Sequence, residues 1–483
     1  MEVKDYIFSL LSKKGKIVSD DKKELVYHFS ESLENIALVN QILDNQSLIM
    51  KNWEIRTRIE DIKKMIFPIH NGTVGKVYYS KIDFKQLNLS DLIAEDFQGL
   101  EEIGLKFNST EDAIEGIPII SGEQKIKFLF KVEGEAEDSE LNIKEFSIII
   151  NPDPKSLWKD IESDKNDLFW KEDNVSIKDK VGGKNIVISS KRGRSHANVG
   201  SFRDDDFAYK YFNNSGWTVV AVSDGAGGYS LSRKGSQIAC TSIIEYFEQH
   251  SDIETHKEFD AKLLEFDKSR DEELLKEIQV LSKQNMYKAT LFAHNKIKEF
   301  ALETEKNFPD LFTNSKAKSS IDYFHSTLIY ALFKKFEFGY VVLTFGVGDC
   351  PIAVVNKDKT ISTLMNWLDV GEFGGGTRFI TQGEIFHSES NPMSSRFNFQ
   401  IFPDFSYMFL MTDGIYDPKF VVEANLEKSE KWQEFIADLE GNNDDNSKVD
   451  FNYENQEIEL ELSKWMDFWS PGNHDDRTLA IIY

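Results

Sequence analysis

Trp217-Thr218-Val219-Val220-Ala221-Val222 is an unbroken β-prone run that ends at Ser223-Asp224 and the turn Gly225-Ala226-Gly227-Gly228. Glycine lets the backbone turn sharply there. A carboxylate and a bare carbonyl are thereby presented together at the mouth of a sheet. One Asp-Gly pair is an ordinary turn. The weight of this one comes from repetition, because further acids stand beside glycine or at strand ends along the same region. Arg203-Asp204-Asp205-Asp206 precedes Phe207, and Gly346-Val347-Gly348-Asp349 follows the run Tyr340 to Phe345. Met411-Thr412-Asp413-Gly414 follows Tyr407 to Leu410, and Asp475-Asp476-Arg477-Thr478 leads into a strand from Leu479 to Tyr483.

Acids gathered at one end of neighbouring strands repel each other and carry raised pKa values. Magnesium or manganese resolves that repulsion, since hard cations prefer oxygen ligands. Two such ions can ionise a bridging water and clamp a phosphoryl oxygen. No histidine or cysteine set with zinc spacing competes, and no P-loop, kinase signature or Gly-x-Ser-x-Gly occurs.

With 483 residues the chain is long enough for roughly two to four domains. Its 40% hydrophobic and 13% aromatic content can furnish real cores. A net charge of −25 disfavours nucleic acid and anionic membranes as main partners. The two cysteines, Cys240 and Cys350, make neither a disulfide framework nor a zinc site and fit a reducing compartment. The first residues lack a basic leader, and no run of about 18 apolar residues occurs. A cytoplasmic protein is expected.

The texture changes along the chain. Residues 1–70 read as a helical segment, with Ile7, Leu10, Leu33, Ile36, Ile42 and Leu43 near helical spacing. Residues 71–152 hold short β-prone runs, such as Ile126 to Val132 and Phe146 to Ile150, separated by Gly116, Pro118, Gly122 and Gly134. They suggest a small β-sandwich that loosely resembles bacterial immunoglobulin-like or cadherin-like repeats, which implies a role in binding a protein partner. Residues 153–184 read as a polar linker. Residues 185–483 alternate strands and helices. The stretch from Phe420 to Trp469 shows amphipathic helical texture around Trp432, Phe435 and Ile436.

In order and spacing the acidic clusters resemble the metal-dependent protein serine/threonine phosphatases, the PPM or type 2C family, over about residues 185 to 483. The divergent bacterial branch is the most similar. Gly193-Arg194-Ser195-His196 looks like its Gly-x-Ser-His segment, and Val222 to Gly228 like its Asp-Gly-x-Gly-Gly turn. His325-Ser326-Thr327 and Gly348-Asp349 look like its Gly-Ser-Thr and Gly-Asp-Ser motifs. Gly371-Glu372-Phe373 to Gly376-Thr377-Arg378-Phe379, Thr412-Asp413-Gly414 and Asp475-Asp476-Arg477-Thr478 resemble three further motifs.

The resemblance implies an α+β chain whose C-terminal part is an α/β/β/α sandwich, two antiparallel sheets flanked by helices. It implies that Asp224 bridges two manganese or magnesium ions, that Gly225 lends a carbonyl, and that Asp413 and Asp475 each complete one ion's shell. Asp206, with Asp205 second, would hold an ion through water, and Asp349 with Asp413 a third. The implied reaction is direct hydrolysis of phosphoserine or phosphothreonine esters in a phosphoprotein, opposite a partner kinase. Ala226 stands where eukaryotic members carry histidine, and Ser201 where the phosphate-binding arginine is expected. His196 is therefore the candidate acid, and Arg203 and Arg194 the candidate phosphate ligands. The alternative is a binding or scaffold protein built on a degenerate phosphatase fold.

Overall fold

The computed structural model describes residues 2–250, 254–313, 316–369, 376–389 and 392–483. The chain divides into two compact units, Met1–Leu157 and Trp158–Tyr483. Among the described residues no helix is long and apolar enough to cross a membrane.

The first unit opens with helices α1 (Val3–Lys13), α2 (Lys23–Glu31) and α3 (Leu33–Lys64), joined by a small cluster of Ile7, Val26 and Val39. Seven short strands follow: β1 (Gly72–Thr73), β2 (Tyr78–Lys81), β3 (Leu92–Gln98), β4 (Leu105–Asn108), β5 (Ala113–Gly116), β6 (Gly122–Val132) and β7 (Asn142–Asn151). They form two sheets, ordered β1-β7-β6-β3 and β2-β5-β4, with β1 parallel to β7. Lettered A to G, these are A-G-F-C and B-E-D, the pairing of an immunoglobulin-type sandwich whose first strand runs beside the last. Their shared core is aromatic: Phe128 lies 5.2 Å from Phe67 and 5.0 Å from Phe97, ring centre to ring centre.

The second unit is built on two antiparallel sheets. Its strands are β8 (Asn174–Val181), β9 (Lys184–Lys191), β10 (Asp206–Phe212), β11 (Trp217–Ser223), β12 (Leu328–Phe336), β13 (Gly339–Val347), β14 (Ile352–Asn356), β15 (Ser362–Leu364), β16 (Phe397–Phe402), β17 (Phe405–Met411) and β18 (Arg477–Ile482). The sheet orders are β10-β11-β12-β13-β16 and β15-β14-β17-β18-β9-β8. Alternate residues of a strand face opposite ways, and here both faces are covered. Val220, Val222, Ile329 and Val342 meet Ile188, Val354, Leu410 and Ala480 between the sheets. Val219, Ala221, Tyr330 and Leu343 face outward onto α5 (Ser232–His250), α6 (Glu254–Ser269) and α7 (Glu272–Asn307). Val187, Phe409 and Ile481 face α8 (Asp413–Phe420), α9 (Ser429–Leu439) and α10 (Ile458–Trp465) on the other side. The layers are therefore α/β/β/α, and burial on both faces explains why the strands read as unbroken apolar runs. Trp432, Phe435 and Ile436, the helical texture after Phe420, lie in that outer layer.

One boundary differs from the reading of residues 153–184 as a linker. β8 pairs with β9 along its whole length, from Asn174↔Lys191 to Val181↔Lys184. It is an edge strand, and its Lys178, Asp179 and Lys180 give it the charge that blunts such edges. That polarity made a strand look like a tether.

Candidate metal centre

Strand direction gathers the acids. Asp205 lies just before β10, and Asp224 just after β11, which pairs antiparallel with it through Asp206↔Ser223. β13 ends just before Asp349, and β17 just before Asp413. β18 runs antiparallel to β17 with Met411↔Leu479, so Asp475 and Asp476, which precede it, fall at the same end. A hydroxyl of Thr327, at the start of β12, receives the Asp224 backbone N–H at 2.9 Å, and the Thr327 N–H donates back to the Asp224 carbonyl at 2.8 Å.

Two glycines permit the close approach. A Cβ on Gly225 would stand 2.7 Å from the Asp204 carbonyl oxygen and 3.0 Å from the Asp204 Cβ. Gly348, at φ +102°, leaves no room either, since a Cβ would lie 2.5 Å from Thr327 Cγ2. Only glycine lets these backbones meet.

The carboxylates are held in a state of mutual repulsion. Burial, then the charges of Asp413, Asp205, Asp475 and Asp349, pushes Asp224 well above the usual carboxylate range. Burial and Asp475, Asp349 and Asp205 do the same to Asp413. Asp205 is pushed up to about 7 by burial and by Asp476, against the hydrogen bonds it accepts from Thr412 and Thr478. Asp475, at the open mouth, is raised by its surroundings and by Asp476. Asp205 Oδ2 accepts from the hydroxyls of Thr412 and Thr478 at 2.8 Å each, while Asp205 Oδ1 is buried with no partner. Asp349 repeats the pattern: Oδ2 accepts from Thr377 at 2.6 Å, and Oδ1 is buried and unpartnered. Two orphaned carboxylate oxygens in a ring of unneutralised acids are what an oxygen-ligated divalent cation fits. Asp224, Asp349 and Cys350 each offer an atom within 4.8 Å of one another. Burial and the nearby acids hold the Cys350 thiol well above its ordinary value, so it stays protonated.

Asp476 differs from its neighbours. Its Oδ1 accepts from Gly193 N at 2.6 Å and faces His196 Nδ1 at 3.0 Å, and its Oδ2 accepts from Asp204 N. These bonds overcome burial and draw its pKa below the usual value. His196 is raised to about 9: burial opposes its charge, but Asp476, Asp204 and Asp475 outweigh burial. Its Nε2 lies 3.8 Å from Asp204.

Several sequence candidates sit elsewhere. The Asp206 carboxylate is not in the ring; it accepts from the buried Lys171 ammonium at 2.9 Å and from the Phe207 N–H. Alternate residues face opposite ways, so Asp205 turns to Thr412 and Thr478 of the second sheet while Asp206 turns to Lys171. Arg203 is 2% exposed; its Nε donates to Glu172 O at 3.1 Å and its Nη1 to Ser190 Oγ and Asp205 O at 2.6 Å, and Nη2 has no partner among the described residues. It braces the strand ends, and its burial leaves little of it exposed to a phosphate. Arg194 donates to the carbonyls of Phe468 and Asp467 and lies on the Trp469 ring. Of the motif from Gly371 to Phe379, residues 371–375 lie outside the described residues. Asp204, Asp476 and Lys171 were not singled out. Lys171 carries no sequence signal, whereas Asp204 and Asp476 were visible as neighbours in their acidic runs.

A family model described as "Protein phosphatase 2C" matches residues 192–465. No curated protein matches the chain. Among solved structures, a bacterial serine phosphatase is 15% identical, with 62% of this chain and 96% of that one covered at a TM-score of 0.33. The catalytic domain of the serine threonine protein phosphatase PstP, in complex with two manganese ions, is 13% identical, with 62% and 96% covered and a TM-score of 0.32. The S. agalactiae serine/threonine phosphatase is 14% identical, with 62% and 99% covered and a TM-score of 0.35.

Proposed function

Since this chain belongs to the protein phosphatase 2C family, we propose that it is a metal-dependent protein serine/threonine phosphatase. The observation that carries the reading is the ring of Asp205, Asp224, Asp349, Asp413 and Asp475, with unpartnered buried oxygens on Asp205 and Asp349. We assign two magnesium or manganese ions to Asp224, the Gly225 carbonyl, Asp413, Asp475 and Asp205, and a third, weaker ion to Asp349 with Asp413. When bound, such ions activate water for attack on phosphorus and stabilise charge on the phosphoryl oxygens.

The chain's own residues orient that chemistry. Thr412 and Thr478 fix one Asp205 oxygen so that the other points into the ring. Thr377 does the same for Asp349. His196 is assigned to holding Asp476, which in turn clamps the Gly193 and Asp204 backbones. The substrate is a phosphoserine or phosphothreonine protein, placed opposite a partner kinase, and the immunoglobulin-type unit recruits a protein partner. Free, buried Cys240 and Cys350 favour a reducing, cytoplasmic setting.

The occupied state of Arg203 and Arg194 favours a second reading, a phosphatase fold kept for binding alone. Hydrolysis of p-nitrophenyl phosphate and of a phosphothreonine peptide, with and without manganese, separates the two. Metal-dependent turnover that falls by at least about a thousandfold in Asp224→Asn is expected. Absence of turnover, or turnover indifferent to that substitution, overturns the enzyme reading.

A further inference from the structure

α3 is 32 residues long, about 48 Å at 1.5 Å per residue, yet Val39 and Ile62 are its only buried residues. Its first turns rest on α1 and α2 through Val39 and Leu43. Its last turns rest on the sandwich core through Ile55, Ile59 and Ile62. Between these attachments every residue from 44 to 54 is exposed. A helix exposed all round should be polar there. This one carries Leu48, Ile49, Met50 and Trp53, with Leu38 and Ile42 exposed one to two turns earlier. Ile49 and Trp53 are each 65% exposed.

Four of these residues share one face, and Leu48 and Met50 lie to either side of it. At about 100° per residue, Leu38, Ile42, Asn45, Ile49 and Trp53 fall within about 80° of arc, away from the face that Val39 and Leu43 turn to α1 and α2. Glu34 bounds the stripe at one end and Arg56 at the other, and no charged residue lies on it between them. Among the described residues neither Glu34 nor Arg56 has an ion-pair partner within the chain.

The stripe complements itself. If a second α3 runs antiparallel across it with the two-fold axis at Asn45, Leu38 meets Asn52, Ile49 meets Gln41, Ile42 meets Leu48 at the stripe's edge, and Asn45 meets its own copy. Glu34 then faces Arg56 of the second copy, twice. Asparagine at the centre of a helix pair fixes register at some cost in stability. A chain of net charge −25 repels its copies, and a charge-free stripe bounded by opposite charges is where they can approach. Leu38, Ile42, Ile49 and Trp53, with Leu48 at the edge of the stripe, offer roughly 100 Å² each, about 1,000 Å² for the pair, at the lower edge for a specific interface.

We propose that α3 is the contact between two copies of this chain, packed antiparallel about a two-fold axis at Asn45. An interface of that size lies at the end of the range where weak, transient contacts are found.

Sedimentation equilibrium of the full chain, from about 1 to 100 µM, tests this. A reversible monomer–dimer equilibrium is expected, with the dissociation constant raised at least about tenfold by Ile49→Glu. Circular dichroism of that variant should match the parent, because the side chain is 65% exposed in the monomer and belongs to neither core cluster that α3 joins. Glu34→Arg or Arg56→Glu alone should weaken the dimer several-fold, and the two combined should restore it. A chain that stays monomeric throughout overturns the proposal and leaves the stripe to a different protein. A dimer insensitive to Ile49→Glu also overturns it, and failure of the combined charge reversal overturns the antiparallel register.

Discussion

Asp205 and Asp206 are adjacent, chemically identical and placed in opposite electrostatic surroundings, so Asp→Asn at each should move stability in opposite directions. Burial and the charge of Asp476 push Asp205 up to about 7, well above the ordinary carboxylate range. At about 1.36 kcal/mol per unit, keeping it ionised in the metal-free fold costs on the order of 4 kcal/mol, shared with the acids around it. The sign follows from linkage: the cost is absent below the unfolded value, grows as pH rises, and is complete above the folded one. Asparagine removes it while its amide oxygen still accepts from Thr412 and Thr478. Asp206→Asn instead strips the carboxylate from Lys171, which is 9% exposed and otherwise bonded only to the carbonyls of Asp205 and Arg233. A buried cation left without its partner costs about 3–5 kcal/mol. Calorimetric melting in a chelator at pH 7.5 should therefore show Asp205→Asn at or above the parent by a few degrees and Asp206→Asn well below it, at about 2–4 °C per kcal/mol. Adding manganese should raise the melting temperature of the parent and of Asp206→Asn more than that of Asp205→Asn. If both variants melt lower by similar amounts, or if Asp206→Asn alone loses the manganese shift, the assignment of Asp205 to the ring is wrong.

Gly225→Ala puts a methyl group 2.7 Å from the Asp204 carbonyl oxygen, which is backbone and cannot swing away. Widening the Asp204–Asp224 approach should lower kcat at least about tenfold for a stability loss of about 1–3 kcal/mol, read by kinetics and melting together. Arg203→Met takes the donor from Glu172 O and one of two partners from Ser190 Oγ and Asp205 O, which keep Thr478 and Lys171. With one group orphaned, the fold should be weakened by about 1–3 kcal/mol in urea titration. KM for a phosphopeptide should stay within about twofold in what remains folded; a large rise in KM with unchanged stability would return Arg203 to the phosphate.

What could be read from the sequence followed the periodicity of burial. β11, β13 and β17 are buried at nearly every position because both faces of each sheet are covered, and their ends carry Asp-Gly or Gly-Asp. Those signals are local, so the strands and the acids Asp224, Asp349 and Asp413 at their ends are legible in the sequence, whereas the four layers are what the family resemblance implies. β8 was not, because an edge strand with Lys178-Asp179-Lys180 has the composition of a loop. The choice among Asp204, Asp205 and Asp206 was not legible either. Three acids in a row carry no record of which one turns inward. That is decided where β10 begins, and by a lysine 35 residues earlier in the chain whose ammonium donates to the Asp206 carboxylate. Arg203 was misread for the same reason. A guanidinium beside an acidic site has the right chemistry for phosphate, but its role depends on how many acceptors the fold has already aimed at it, and three of them occupy Nε and both donors of Nη1. The part of such a site that sequence conveys is the inventory of charges. Which of them remain unpaired is a property of the packing, and it is the unpaired ones, Asp205 Oδ1 and Asp349 Oδ1, that make the ring a place for a cation.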